Sequence, residues 1–374
     1  MRLMFLIMML TMIPVGIFFY FYYQRTILFW SGKEKNRIIV IISILLAVCT
    51  GAACANMFYT PALVFLHVAA VQLVLQLIYL LIRKVKKEWA EDKSLVDRIY
   101  RCGLVPWLVM AVILSYGYFH MSDVRLKEYT VETEKNIASG GEDGYTIAMF
   151  SDLHFGTTMD TARLEEYCDK ISAAKPDIIV LCGDIVDERT TKEEMTEAMK
   201  VMGSMQSRFG IYYVFGNHDS AMYASKPPFT VRELEEQLTA NGIRILSDEA
   251  VDIDENLVLA GRLDRGFTGS DNRKPTEEIL KNIDKNKYVV MLDHQPVAFE
   301  ENEKNGVDLQ LSGHTHGGQI WPVGLISSIL GFGELNYGER EIGKFHVIVS
   351  SGIAGWGYPI RTGADSEYLL IHIT

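Results

Sequence analysis

Residues 307–319 read VDLQLSGHTHGGQ: a short alternating apolar run, then two histidines two positions apart inside a fence of glycines. Val307, Leu309 and Leu311 recur with period two, which predicts a strand. Gly313, Gly317 and Gly318 remove side chains where backbone can crowd a site. His314 and His316 could be unrelated surface imidazoles, so the rest of the chain has to decide. Directly downstream, IWPVGLISSILGF (320–332) is apolar and too short to cross a bilayer. It reads either as a buried helix or as an apolar lip touching bilayer or acyl chain.

The same arrangement recurs four more times upstream. YTIAMF (145–150) is followed by SDLHFG, DIIVLC (177–182) by GDIVDE, IYYVF (211–215) by GNHD, and YVVML (288–292) by DHQP. LVLAGRL (257–263), FHVIVS (345–350) and EYLLIHI (367–373) add further strands, and the stretches around 161–174, 192–208, 230–241 and 276–284 have helical spacing. Alternation of this kind predicts an α/β domain with a largely buried sheet. In such a sheet, ligands gather beyond the carboxyl ends of the strands, so five polar clusters converge on one place.

Carboxylate, imidazole and amide oxygen together suit first-row divalent ions, and the absence of thiolates disfavours a structural zinc site. Two ions about 3.5–4 Å apart need one bridging carboxylate and roughly three further ligands each. Asp184 as bridge with Asp152, His154, Asn217, His294, His314 and His316 meets that need, and leaves His218 free for proton transfer. Each cluster alone has a bland reading as a turn, a cap or a surface histidine. Jointly they do not: of seven histidines after residue 120, five fall in these clusters, and only His346 and His372 read as strand residues.

The ordered blocks D-x-H, GD-x-x-D, GNHD, H and GHTH resemble the calcineurin-like metallophosphoesterase superfamily over about residues 143–374. The resemblance implies a four-layer αββα sandwich with two divalent ions at the sheet edge, Mn, Fe or Zn, with Mn the first expectation. Carried over, one ion takes Asp152, His154, Asp184 and His316, and the other Asp184, Asn217, His294 and His314. His218 matches the family's catalytic histidine and Asp187 its carboxylate partner; Asp219 needs only a structural role. The implied reaction is in-line attack of a metal-bridged hydroxide on phosphorus, with His218 as general acid.

Glu188 stands where the protein Ser/Thr phosphatase branch carries a phosphate-binding Arg, and Ser312 precedes Gly313 where an Arg is usual there, so phosphoprotein is a poor substrate candidate. GHTHGGQIWP, AGRLDR (260–265) and SSGIAGWGYPIRTGADSEYLL (350–370) are similar to bacterial membrane-anchored predicted phosphohydrolases. That group includes enzymes resembling UDP-2,3-diacylglucosamine pyrophosphatases and phospholipid-directed esterases. Arg262, Asp264 and Arg361 become candidate substrate contacts, with ordinary loop salt bridges as the alternative.

The first third differs in kind. It carries 12 Lys and Arg against 5 Asp and Glu, whereas residues 121–374 carry 24 against 42. Four apolar runs, Leu3–Tyr23, Ile38–Phe58, Pro61–Ile82 and Leu104–His120, approach the roughly 20 residues that cross a bilayer. The expected organisation is an all-α membrane domain of about four transmembrane helices (1–120), a linker (121–142) and the phosphoesterase domain (143–374). Arg25, Lys33, Lys35 and Arg37 after the first run, and seven basic residues after the third, orient those loops to the cytoplasm. The N-terminus and the acidic domain then lie outside it, in a multi-pass cell-membrane protein. An acidic domain with no basic stripe argues against nucleic acid as main partner. Membrane lipid is the expected partner, and nothing calls for an obligate protein one.

Cys168 and Cys182 cannot build a framework of bridges and read as packed apolar residues. The expected substrate is a lipid-linked or cell-envelope phosphoester. The membrane topology weighs against a UDP-lipid, whose nucleotide part is normally made in the cytoplasm. The rivals are a phosphoesterase for a soluble nucleotide or phosphosugar, tethered to the membrane, and a non-catalytic metal-bearing sensor.

Overall fold

A computed structural model of the chain describes residues 2–55, 59–86, 89, 94–138, 144–268, 272–331 and 333–374, with side chains from residue 12 onward. It divides into two compact units, Met1–Tyr116 and Gly117–Thr374.

The first unit is helical: α1 (Arg2–Ser31), α2 (Arg37–Ala53), α3 (Thr60–Val85), α4 (Leu95–Cys102) and most of α5 (Val105–Ser122). Asn36 starts α2 by accepting from the amides of Ile38 and Ile39, and Ser94 caps α4 through the amide of Asp97. The expectation of four spans is reduced. Among the described residues, only α3 and α5 have both the length and the apolarity to cross a membrane. α2 is apolar but 17 residues long, and the expected end of its span at Phe58 lies outside the described residues. The first expected span falls within α1, but its side chains up to residue 11 lie outside them too. Outward-facing apolar side chains are the rule on these helices, Ile38, Leu77, Leu81 and Val112 among them.

The second unit runs β1 (Val124–Val131), β2 (Tyr145–Phe150), α6 (Thr161–Ala173), β3 (Ile178–Cys182), α7 (Lys192–Gly203), β4 (Ile211–Val214), α8 (Val231–Ala240), β5 (Ile243–Ile245), β6 (Glu249–Asp252) and β7 (Leu257–Gly261). It continues through α9 (Arg265–Thr268), α10 (Thr276–Ile279), β8 (Tyr288–Leu292), α11 (Phe299–Lys304), β9 (Leu309–Ser312), α12 (Val323–Leu330), β10 (Gly338–Ile342), β11 (Phe345–Val349) and β12 (Ser366–Ile373). Twelve strands form two six-stranded sheets, ordered β1-β12-β2-β3-β4-β5 and β10-β11-β9-β8-β7-β6. β2 to β5 are mutually parallel in the first sheet, as are β7, β8, β9 and β11 in the second.

Strand alternation builds the layers. Ile147, Met149 and Val180 pack against Leu259, Val290 and Leu309 between the sheets, while Ala148, Phe150 and Leu181 face Leu164 of α6, Met199 of α7 and Leu234 of α8. On the far side of the second sheet, Val258, Val289 and Val347 meet Ile279 and Phe299 of α10 and α11. Helices thus cover the outer faces of two stacked sheets. α7 and α8 each open with a complete capping box, Thr191–Glu194 and Thr230–Glu233. Cys168 and Cys182 are buried, unbridged and in different core layers.

One assigned connection is not a linker. Residues 124–131 pair in parallel with Ser366–Ile373 and form an edge strand of the first sheet. VRLKEYTV carries three charges because its outer positions face water at that edge, which hides the strand from a search for apolar runs.

Candidate metal centre

The loops that leave β2, β3, β4, β8 and β9 hold every candidate ligand. Backbone conformation marks the place. Asp152, His154, Asp184, His314 and His316 all have positive φ, between 41° and 73°, a region L-residues seldom enter. Among the described residues, seven of the nine non-glycine residues with positive φ sit on these loops, Ala221 and Ala298 being the other two, as expected where surrounding structure holds strain for a purpose. A Cβ at Gly313 would run into the Asp152 carboxylate, and one at Gly216 into Asp184, so glycine is what permits the close approach.

The side chains fall into two groups, Asp152–His154–His316 and Asp184–His294–His314, whose candidate ligand atoms lie within 4.8 Å of one another in each. His154 Nε2 stands 3.3 Å from His316 Nε2 and 3.9 Å from Asp184 Oδ2, so Asp184 faces both groups. His294 Nε2 lies 3.0 Å from Asp184 Oδ2, while its Nδ1 meets the carbonyl of Cys182 at 2.8 Å. That carbonyl holds the Nδ1–H tautomer and leaves Nε2 for the site. Asn217, just past the end of β4, keeps a buried Oδ1 with no partner among the described residues; His314 Nδ1 and His316 Nδ1 are in the same condition. Buried polar atoms are normally satisfied, and orphans grouped around two carboxylates suit ligation of cations.

Electrostatics agree. Burial pushes the Asp184 carboxyl up, but the His294 imidazole, close and hydrogen-bonded, outweighs it and holds the group well below the usual carboxylate range. Burial and the neighbouring His294 push His314 down to about 4, which keeps its imidazole neutral and able to ligate. Asp219 accepts from the amides of Gly216, Asp184, Ile185 and Val186, clamping the β3 and β4 loops together.

Asp187 is not where the resemblance implies. Its Oδ2 lies 3.3 Å from His154 Nδ1, whereas His218 Nδ1 meets Glu188 at 2.9 and 3.1 Å. The two carboxylates are adjacent on one tight loop, and Asp187 is turned inward by its own bonds from the amides of Arg189 and Thr190. Burial favours neutral His218, but the Glu188 bond together with the charges of Asp184, Glu188 and Asp187 outweighs it and raises its pKa above the ordinary value. Tyr223 and Trp356 flank the ring.

Arg262 and Arg361 are likewise not exposed contacts. Arg361 is fully buried and donates to the carbonyls of His316, Ser351, Ala354, Ala364 and Asp365. Arg262, also buried, donates to Thr276 and Asn302 and stands 3.9 Å from Asp293, beside His294. Asp264 is buried and accepts from Gln295, the other neighbour of His294. All three brace ligand loops from behind. The cation missed by the sequence reading is Arg265, partly exposed, whose charge reaches His314. It lies in the AGRLDR run, where nothing separates it from Arg262 until the chain folds.

Residues 145–318 match the family model for calcineurin-like phosphoesterases. An uncharacterised metallophosphoesterase of Aquifex aeolicus is 34% identical over 271 residues, covering 71% of this chain and 98% of that protein. One from Campylobacter jejuni is 27% identical, covering 85% and 80% respectively. A Danio rerio protein called transmembrane protein with metallophosphoesterase domain is 24% identical over 74% of this chain and 63% of its own length. The chain belongs to the calcineurin-like metallophosphoesterase family and is a metal-dependent phosphoester hydrolase.

Proposed function

We propose a multi-pass, membrane-anchored phosphoesterase that uses two divalent ions, manganese first among them, on a lipid-linked or cell-envelope phosphoester outside the cytoplasm. The carrying observation is the pair of carboxylate–imidazole groups with Asp184 facing both. Asp152, His154, Asp184 and His316 would hold one ion, and Asp184, Asn217, His294 and His314 the other. Bound there, the ions supply positive charge that activates water and offsets charge on the phosphoryl oxygens. His218, presented at the rim with Nδ1 on Glu188, directs Nε2 to the departing oxygen and gives it a proton. Arg265, partly exposed and next to Gly266, which abuts Asn217, would add a guanidinium near the site for the phosphoryl group.

The membrane reading is supported by α3 and α5, by the transmembrane-named relative and by the exposed apolar helix that follows the GHTH loop. The basic loops of the first third support its orientation. The test is metal analysis of the full chain with hydrolysis of an aryl monophosphate, a bis-aryl phosphodiester and diacyl phosphoesters in lipid nanodiscs. Asp184→Asn is expected to lower bound metal and to cut every activity by about a thousandfold or more. An unchanged rate in that variant would refute the centre, and indifference to acyl chains would refute the lipid-linked substrate.

A further inference from the structure

The run Gln319–Gly333 contains no ionisable residue, and no residue of α12 within it is buried. Trp321 is 65% exposed and Ile329 72%, and Val323, Leu325, Ile326 and Leu330 are exposed with them. Among the described residues, the second unit exposes eleven large apolar side chains, and six stand in this one segment. Two more, Tyr118 and Phe119, belong to the last turns of α5. Scattered apolar residues on a surface need no explanation, but a contiguous set does.

The segment is held where α5 ends. The Gln319 carboxamide donates to the carbonyls of Trp356, Tyr358 and Ile360, and the Gln319 backbone carbonyl accepts from the amides of Thr362 and Gly363. The Trp321 amide donates to Thr362 Oγ1 at 3.0 Å. The same loop carries the end of α5: the Arg361 amide donates to the Gly117 carbonyl at 3.0 Å, and His120 meets the Arg361 carbonyl and Asp365. A few residues of one loop therefore fasten both the end of α5 that belongs to the second unit and the uncharged segment. Beside α12, a groove of about 430 Å³ runs from Gly317 and Gly318 of the ligand loop past Trp321, Leu325 and Tyr337.

We propose that Trp321 and α12 form an interfacial element seated in the bilayer leaflet that α5 enters, so that the groove from the metal loop opens at the lipid surface. Trp321 suits the headgroup level, where an indole keeps its apolar body in lipid and its N–H wet, and Leu325, Ile326, Ile329 and Leu330 suit the acyl boundary. This deepens the lipid-linked reading and rests on the membrane anchor, not on the hydrolytic chemistry.

The test uses the full chain carrying Cys49→Ser and Cys102→Ser, reconstituted in phosphatidylcholine–phosphatidylglycerol nanodiscs with or without spin-labelled lipid. An environment-sensitive fluorophore is placed at Ile329→Cys and, as reference, at the water-exposed Arg232→Cys on α8. The probe at 329 is expected to be quenched by spin-labelled lipid about threefold or more and to resist aqueous iodide, and the probe at 232 to do the reverse. With Ile326→Asp and Ile329→Asp together, hydrolysis of a nanodisc-borne diacyl phosphodiester is expected to fall about tenfold while a soluble aryl phosphodiester changes less than about twofold. Lipid quenching at 329 no greater than at 232 overturns the proposal. Shielding at 329 that follows protein concentration in lipid-free detergent overturns it in favour of a second copy of the chain. If the unaltered protein hydrolyses neither ester, the phosphoesterase reading fails while the quenching still decides the seat of α12.

Discussion

The two units of this chain sort the same side chains in opposite directions. In the first, Ile38, Leu77 and Val112 point outward; in the second, Ile147, Leu259 and Val290 are fully buried between sheets. The second unit also buries what the first largely lacks, a dense set of charged and imidazole groups at the strand ends, with Asp152, His154, Asp184 and His294 almost wholly withdrawn from solvent. The difference teaches that apolar sequence does not specify an interior. It specifies removal from water, which a bilayer or a partner layer can equally provide. α12 is instructive because it belongs to the second unit and behaves like the first.

The comparison can be broken at its strongest point by deleting a partly buried polar group of that set that is not a candidate ligand. His218→Ala is expected to lower kcat by about 10²- to 10⁴-fold with bound metal unchanged, as read by metal analysis beside steady-state kinetics. Full activity in that variant would show that the buried polar set is not a reaction centre. A paired measurement sharpens the apolar half. Leu259→Ala, between the sheets, should cost about 2–5 kcal/mol of the second unit's stability. Leu77→Ala on α3 in nanodiscs should cost less than about 1 kcal/mol, because its side chain leaves one apolar surrounding for another. Thermal or denaturant unfolding of both variants in the same nanodisc would expose any equality of cost.

A subtler effect is expected from Glu188→Gln. The carboxylate favours protonated His218, so the amide should lower that imidazole's pKa, move the alkaline limb of kcat to lower pH, and reduce kcat about ten- to a hundredfold. Asp187→Asn should not shift that limb in the same way, since its carboxylate faces His154 rather than His218. If the two variants shift the limb alike, the assignment of Glu188 as the positioning residue is wrong.

Much of the site was legible because its information is local. Each ligand stands within a few residues of a strand end, and a parallel sheet brings such ends to one edge whatever the loops do. The exchange of Asp187 for Glu188 was not legible: neighbouring carboxylates on a tight loop differ in direction only once Arg189 and Thr190 have bonded one of them. Arg262 and Arg361 misled for a related reason. An arginine in a polar loop reads as exposed until five backbone carbonyls, gathered from separate segments, are found around its guanidinium.

By itself, the sequence determined the α/β class of the second unit, the five ligand-bearing loops, the set of carboxylates and imidazoles, and the apolar character of the first third. Those follow from periodicity and residue chemistry over short windows, where the physics is nearest-neighbour. Only the tertiary structure decided that β1 completes an edge of the first sheet, that Glu188 holds His218, that the arginines brace rather than bind, and that α12 stands in the open. Each of those depends on which distant segments arrive beside a residue, and a helix of uniform apolarity reads the same whether protein or lipid is to cover it.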